Sequence, residues 1–420
     1  MKISYLLICL LGVSSVTLAQ QKKYQGQAPI SVRPITKSKP TQPQWKGIFE
    51  LPNGVHFSND FQGARLNGIV PAENDTLIAL ITAENEPINP SAWYAFKVWG
   101  NEKKTITLKL TYQNARHRYY PKLSKDGLNW TFLDAANYYE IDKGEELFGS
   151  GSQSRAAILN LEIGTDTLWV SAQELQTSQH VFQWMDEKAE APFISVSEIG
   201  KSRQGRPLKC MHIGQGKDKQ MLMVISRQHP PEVTGYLAMK AFIETVTADT
   251  KLAKKFRKKY DVYVVPLMNP DGVDNGHWRH NVGGVDLNRD WADFNQPETS
   301  AVRDFMREKA AKGGAFYFGI DFHSTWDDIY YTLPDSIESN LTGFTKKWLA
   351  ATEAKLPGYK PNVRPTTKLE PTFVSRNFFY VEFGAEALVF EIGDNTPRNF
   401  IKEKGKVSAE QLMEIILGEY

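Results

Sequence analysis

His229 and Glu232, three residues apart in ISRQHPPE, and the distant His323 in FGIDFHST form a chemically suggestive set. Two imidazoles and one carboxylate are what a catalytic zinc ion takes from a protein when one coordination position is left for water. The HxxE spacing alone is a weak signal. Its plain alternatives are a strand-end histidine, a glutamate capping the next helix through the dipole, and a core histidine. Position strengthens the metal reading. Each histidine closes an apolar run, MLMVIS and AFYFGIDF, of the kind that forms a strand buried on both faces. Sites in open parallel sheets form outside the carboxyl ends of such strands. Asp321, two residues before His323, is placed to orient that imidazole through its other nitrogen.

A second group lies in VVPLMNPDGVDNGHWRHNVGGVDLNRDW, where an Asn269-Pro270-Asp271-Gly272 turn follows a strand. Arg279 comes next, and then Asn288 and Arg289 behind a Gly-Gly turn. Guanidinium forks and a side-chain amide suit a carboxylate or a developing oxyanion. Glu391 sits inside the apolar strand of ALVFEIGDNT, where burial of an acid is costly without a partner or a raised pKa. Such residues concentrate at active sites. Glu382 and Glu386 lie before that strand rather than within it.

The elements that must position these residues follow from periodicity. From about 45 to 184 short runs alternate apolar and polar residues, as in TITLKLTY, where Ile106, Leu108, Leu110 and Tyr112 share one face. Many short strands with turn signals such as Lys125-Asp126-Gly127 predict an antiparallel β-sandwich. From 185 to 420 strands at 221–228, 261–267, 315–322 and 386–392 alternate with helices at about 232–247, 297–311 and 336–355, and an amphipathic segment closes the chain. That alternation predicts an α/β domain on a mainly parallel or mixed sheet.

With 50 basic and 48 acidic residues the formal charge is +2, and no basic stripe interleaved with aromatics points to nucleic acid. Lys2, the apolar LLICLLGV and the small-residue end at Ala19 read as a signal peptide over 1–19, too short to span a bilayer, so export to the periplasm or the medium is expected. Cys9 lies inside that stretch, so only Cys210 remains and the mature chain has no internal disulfide. Residues 20–44, rich in Gln, Lys, Pro and Ser, read as a flexible leader.

His229-x-x-Glu232, the NPDG turn, Arg279, GVDLNRDW and His323-Ser324 stand in an order that resembles the M14 zinc metallocarboxypeptidases. EIGKSRQGRPL and FNQPETSAV add to the resemblance, which covers about 190–420. More loosely, NPSAWYAFKVWG, Tyr119-Tyr120-Pro121 and DGLNW resemble the β domain of cytosolic carboxypeptidases. The resemblance implies an M14-like catalytic domain holding one Zn2+ through His229, Glu232 and His323. It further implies Glu391 as the general base for a zinc-activated water, Arg279 as oxyanion stabiliser, and Asn288 and Arg289 as holders of the substrate's terminal carboxylate. The implied substrates are peptide or protein C-termini.

The sequence departs from the digestive members in one stretch. Between Arg364 and Phe379 there is no tyrosine to close over the substrate, and Tyr380 lies close to Glu391. In the family this stretch lines the specificity pocket; here Arg376, with Arg364 and Lys368 nearby, would suit an acidic terminal residue, against the plainer reading of a surface arginine. Alternatives are a zinc amidase acting on cell-wall stem peptides, an aspartoacylase-type deacylase, which the NPDG turn and GVDLNR segment oppose, and a non-catalytic exported binding protein.

Overall fold

The computed structural model describes residues 26, 30, 32–73, 76–143, 154–215, 220–366 and 368–418. The expected signal segment, 1–19, lies outside them.

The first half contains strands β1 (Ile48–Glu50), β2 (Val55–Ser58), β3 (Gly68–Pro71), β4 (Thr76–Ile81), β5 (Ala95–Gly100), β6 (Lys104–Tyr112), β7 (Lys122–Ser124), β8 (Thr131–Phe132), β9 (Tyr138–Lys143), β10 (Ser154–Ile163) and β11 (Leu168–Ser171). They form two sheets, ordered β1-β2-β5-β11-β7-β8 and β3-β4-β6-β10-β9. Ile106, Leu108 and Leu110 of β6 join Phe57, Phe96 and Val98 of the other sheet in one apolar cluster, as the period-two pattern requires. The first sheet is antiparallel throughout, but in the second β4 runs parallel to β6, so the expectation of a wholly antiparallel pair of sheets is corrected.

The second half contains α1 (Ser178–Lys188), β12 (Ile194–Lys201), β13 (Pro207–Ile213), β14 (Gln220–Ser226), α2 (Val233–Val246), α3 (Lys251–Lys259), β15 (Asp261–Val265), α4 (Pro270–Asp274), α5 (Pro297–Ala311), β16 (Ala315–Thr325), β17 (Ile329–Thr332), α6 (Phe344–Lys355), β18 (Val363–Pro365), α7 (Ser375–Phe383), β19 (Glu386–Gly393) and α8 (Arg398–Ile416). Its strands form one mixed sheet, β12-β13-β15-β14-β16-β19-β17-β18, whose centre β15-β14-β16-β19 is parallel. Strand β14 shows why. Leu222 and Val224 point into a cluster with α2, α6 and α8, while Met221, Met223 and Ile225 point into a second with α5 and α7. Both faces are covered, so the run reads as continuously apolar.

Three boundaries differ from the sequence reading. Val181, Trp184 and Met185 of α1 pack into the α/β core, so the changeover falls before this helix rather than at 184. The helix expected at 336–355 starts only at Phe344, after a left-handed Gly343. The described end of the leader, 32–44, is not loose. Thr36 is buried, its carbonyl accepts from Gln296 Nε2 at 2.6 Å, and the Lys39 N–H reaches the Gly283 carbonyl at 2.8 Å. An extended strap whose polar groups are satisfied by loops carries no apolar period, so composition reads it as unstructured.

Candidate metal centre and active site

Strands β14, β16 and β19 end side by side, and their ends carry the site. His229 lies just past β14, reached through Arg227, which adopts a left-handed φ of 56° and is buried. The Arg227 guanidinium donates to the Pro230 carbonyl at 2.6 Å, holding the Pro-Pro turn that brings Glu232 round to the N-terminus of α2. His323 is near the end of β16. In register it lies opposite Glu391 of β19, with Asp321 opposite Val389. Tyr331 of β17 pairs with Val389 and Arg364 of β18 with Tyr331. Paired residues share a face, so Asp321, His323, Glu391, Val389, Tyr331 and Arg364 all belong to one side of the sheet.

His229, Glu232 and His323 are buried, and one ligand atom from each lies within 4.8 Å of the others. Glu232 Oε1 is 2.7 Å from His229 Nδ1 and its Oε2 is 2.6 Å from His323 Nδ1. The outer nitrogens face carboxylates: His229 Nε2 lies 2.9 Å from Asp286 Oδ1, and His323 Nε2 lies 2.8 Å from Asp321 Oδ2. A carboxylate on each Nε2 favours the tautomer with its proton there and turns both Nδ1 lone pairs inward beside Glu232. Two lone pairs and an anion converging in a buried space fit a divalent cation, and the donor set suits zinc. Burial opposes charge on Glu232 and on His323, yet the two imidazoles hold Glu232 below the usual carboxylate range, while Asp321 and Glu232 hold His323 well above the usual histidine value.

Glu391 is half-buried, with Oε2 enclosed and without a hydrogen-bond partner. Burial raises its pKa to about 8; His323 and Arg279 oppose the shift, and Glu232 adds to it. Its two competitors are engaged elsewhere. Glu386 accepts from the Phe344 and Thr345 N–H groups at the start of α6, and Glu382 pairs with Arg307 at 2.7 Å.

Arg279 is buried and donates from Nε to Asp286 Oδ2 at 2.7 Å. Asp286 thereby joins His229 to Arg279, and its Oδ1 also accepts from the Asn288 N–H at 2.9 Å. Burial opposes its ionisation, but Arg279, Arg289 and His229 hold it well below the normal range. Asp286 was missed in the sequence, although it stands two residues before Asn288 in the quoted GVDLNRDW. Asn288 Oδ1 accepts from the Ser375 N–H at 3.0 Å, its Nδ2 lies 3.5 Å from His323 Nε2, and Arg289 Nη1 donates to the Asn288 carbonyl at 2.7 Å.

Asn288, Arg289, Arg364, Arg376, Tyr331 and Glu391 share the wall of a cavity of about 320 Å3, with Lys368, Glu370 and Ile30 of the leader at other points of it. Arg376, on the first turn of α7, faces this cavity. It is half-buried, its Nε has no partner, its guanidinium lies 5.7 Å from the Tyr331 ring, and burial lowers its pKa to about 10. Tyr331 was also missed. The expected tyrosine was sought between 364 and 379, whereas β17 supplies one to the cavity from earlier in the chain.

The sheet carries a His-Glu-His cluster at its carboxyl edge, and residues 181–344 match the zinc carboxypeptidase family model, Peptidase_M14. That stretch of the chain is thus similar to the zinc carboxypeptidase family, and it holds the three clustered residues His229, Glu232 and His323. Among curated relatives it is 36% identical over 104 residues to cytosolic carboxypeptidase 1 of Xenopus laevis, covering 25% of this chain and 8% of that protein. An uncharacterized protein of Zymomonas mobilis, ZMO1242, is 26% identical over 226 residues, 51% of this chain and 54% of that one. The chain thus spans about half, or far less, of the length of these relatives. The fold is that of the metallo-carboxypeptidase of Burkholderia cenocepacia, with a TM-score of 0.68 and 18% identity over 86% of this chain and 98% of that one.

Proposed function

We propose that this chain is a zinc-dependent metallocarboxypeptidase that hydrolyses the last peptide bond of peptides or proteins. The observation that carries this reading is the enclosed His229-Glu232-His323 cluster with Glu391 opposite His323 and a cationic cavity beside it. Zinc, when bound, supplies Lewis acidity that activates water and polarises a carbonyl. Glu391 takes the proton of the attacking water as its oxygen bonds to the carbonyl carbon, and delivers it to the amine nitrogen as the C–N bond breaks. A carboxyl that burial lifts to about 8 is suited to both transfers, and a nearby cation brings it closer to neutrality. Arg279, held on Asp286, offers its charge to the developing oxyanion. Asn288 and Arg289 take the terminal carboxylate, which restricts cleavage to the last bond. Arg376 and Arg364 then face the terminal side chain, and a desolvated cation in that wall favours an acidic residue.

Metal analysis of the purified chain, with peptide hydrolysis before and after a chelator, tests the reading. Zinc with chelator-sensitive release of single C-terminal residues is expected; a metal-free, inactive chain would leave the binding-protein alternative, and release of whole stem peptides would favour the amidase. We further propose export after cleavage near Ala19, supported by the N-terminal pattern and checked by sequencing the mature N-terminus. Among the described residues no helix is long and apolar enough to cross a membrane.

A further inference from the structure

Arg279 belongs to the catalytic half of the chain, yet the backbone that carries it is built by the β domain. Trp278, the residue before it, is fully buried in the apolar cluster of the two N-terminal sheets, and its indole donates to the Trp93 carbonyl at 3.0 Å. Glu84, in the loop after β4, is fully buried and closes the arrangement. Its Oε2 accepts from the Trp278 N–H at 2.7 Å, and its Oε1 accepts from the N–H groups of Arg279 at 3.0 Å and His280 at 2.7 Å. Three consecutive amides converging on one carboxylate form an anion nest. Without the acid, three buried donors would lack a partner. The next residue repeats the pattern, because Asn85 Oδ1 lies 2.6 Å from His280 Nδ1 and Asn85 Nδ2 donates to the Gly284 carbonyl at 3.2 Å.

We propose that Glu84 is a positioning residue for catalysis: by gathering the 278–280 amides it fixes the turn from which Arg279 reaches Asp286 and the reacting carbonyl. The β domain is then a working part of the active site and not only a neighbour. This proposal rests on the carboxypeptidase reading for the role of Arg279, but the geometry of the nest does not.

The test is a double-mutant cycle in the full chain on a blocked peptide ending in glutamate, using Glu84→Gln, Arg279→Gln and the pair. Gln keeps the shape but points an N–H2 at one of the three amides. Glu84→Gln should lower kcat about tenfold or more with KM within about threefold, the signature of an interaction made in the transition state. It should leave zinc content intact and cost nothing further when Arg279 is already Gln. Multiplying losses would overturn the proposal. So would an equal kcat loss in Arg398→Gln, which breaks the bidentate interdomain pair with Glu174 without touching the nest. Amide hydrogen exchange supplies a readout free of activity. Glu84→Gln should speed exchange at 278–280 and not in β14 or β16, and unchanged exchange would overturn the proposal even if the wild type cleaves no peptide, an outcome that would defeat the carboxypeptidase reading alone. Should Glu84→Gln fail to fold, Glu84→Asp, which keeps the charge and shortens the reach, goes through the same cycle.

Discussion

His323 and Glu391 face each other in register on adjacent parallel strands, one imidazole and one carboxyl projecting to the same side of the sheet at its carboxyl edge. Because the two strands are neighbours by hydrogen bonding, the relative placement of the imidazole and the carboxyl is set by the most rigid element of the fold. Glu391→Gln should therefore keep its zinc and its fold while kcat falls by about 10²–10⁴, the range for a general acid-base. A variant with near-wild-type turnover would remove Glu391 from the mechanism.

Asp286 serves two masters, His229 at Oδ1 and Arg279 at Oδ2, whereas Asp321 faces His323. Both Asp→Asn changes should weaken zinc binding by about 10–100-fold, read by competition with a chromogenic chelator. Only Asp286→Asn should also depress kcat in zinc-saturated enzyme, since it frees Arg279 as well. Equal kcat in the two saturated variants would contradict this division.

Arg376 in the cavity wall predicts substrate preference. Wild-type enzyme should release C-terminal glutamate faster than leucine and lysine from otherwise identical peptides, and Arg376→Gln should shrink the glutamate advantage by about tenfold or more in kcat/KM. Preference for lysine would dismiss the acidic pocket.

Gly235 on the first turn of α2 lies against the end of β16, where an added Cβ would come within 2.2 Å of the His323 carbonyl oxygen. Gly235→Ala must push helix and strand apart, with a stability loss of about 1–3 kcal/mol, and it moves a zinc ligand as it does so. Thermal melts with and without added zinc should show a lower Tm together with a smaller zinc-induced rise.

Glu298, in the first turn of α5, is held by Asn281 at 3.0 Å, has its other oxygen unpartnered, and is raised by burial to about 7. With the folded pKa above the unfolded value, the folded state keeps a proton that the unfolded chain has lost. This group therefore contributes no penalty below about pH 4.5, and a growing one up to about pH 7, where it levels off. Glu298→Gln should gain stability relative to wild type as pH rises through that window, by on the order of 3 kcal/mol in total. Denaturant melts at pH 4.5 and 8 give the difference; a gain that is the same at both would refute the assignment.

Residue types and strand ends were legible in the sequence because they are local. Continuous apolar runs in MLMVIS and AFYFGIDF mark strands covered on both faces, with His229 and His323 at their ends, and Glu391 interrupts a third such run in ALVFEIG. The pairing of Asp321 with His323 was equally local, two residues apart on one strand face. Other features depend on which strands become neighbours and on where loops turn, and no period encodes either. Asp286 reaches His229 from a loop 57 residues away, Tyr331 enters the cavity from β17, and the leader strap closes onto loops more than 200 residues along the chain. Glu84 is the extreme case: an acid in a loop of the first domain, with nothing in its neighbourhood to mark it, becomes the anchor for Arg279 only when two sheets and an α/β domain close around it. The sequence by itself determined the donor set and its chemistry; tertiary structure alone decided which buried carboxylate stands behind each of those groups, because burial and distance belong to the packed molecule and not to the chain.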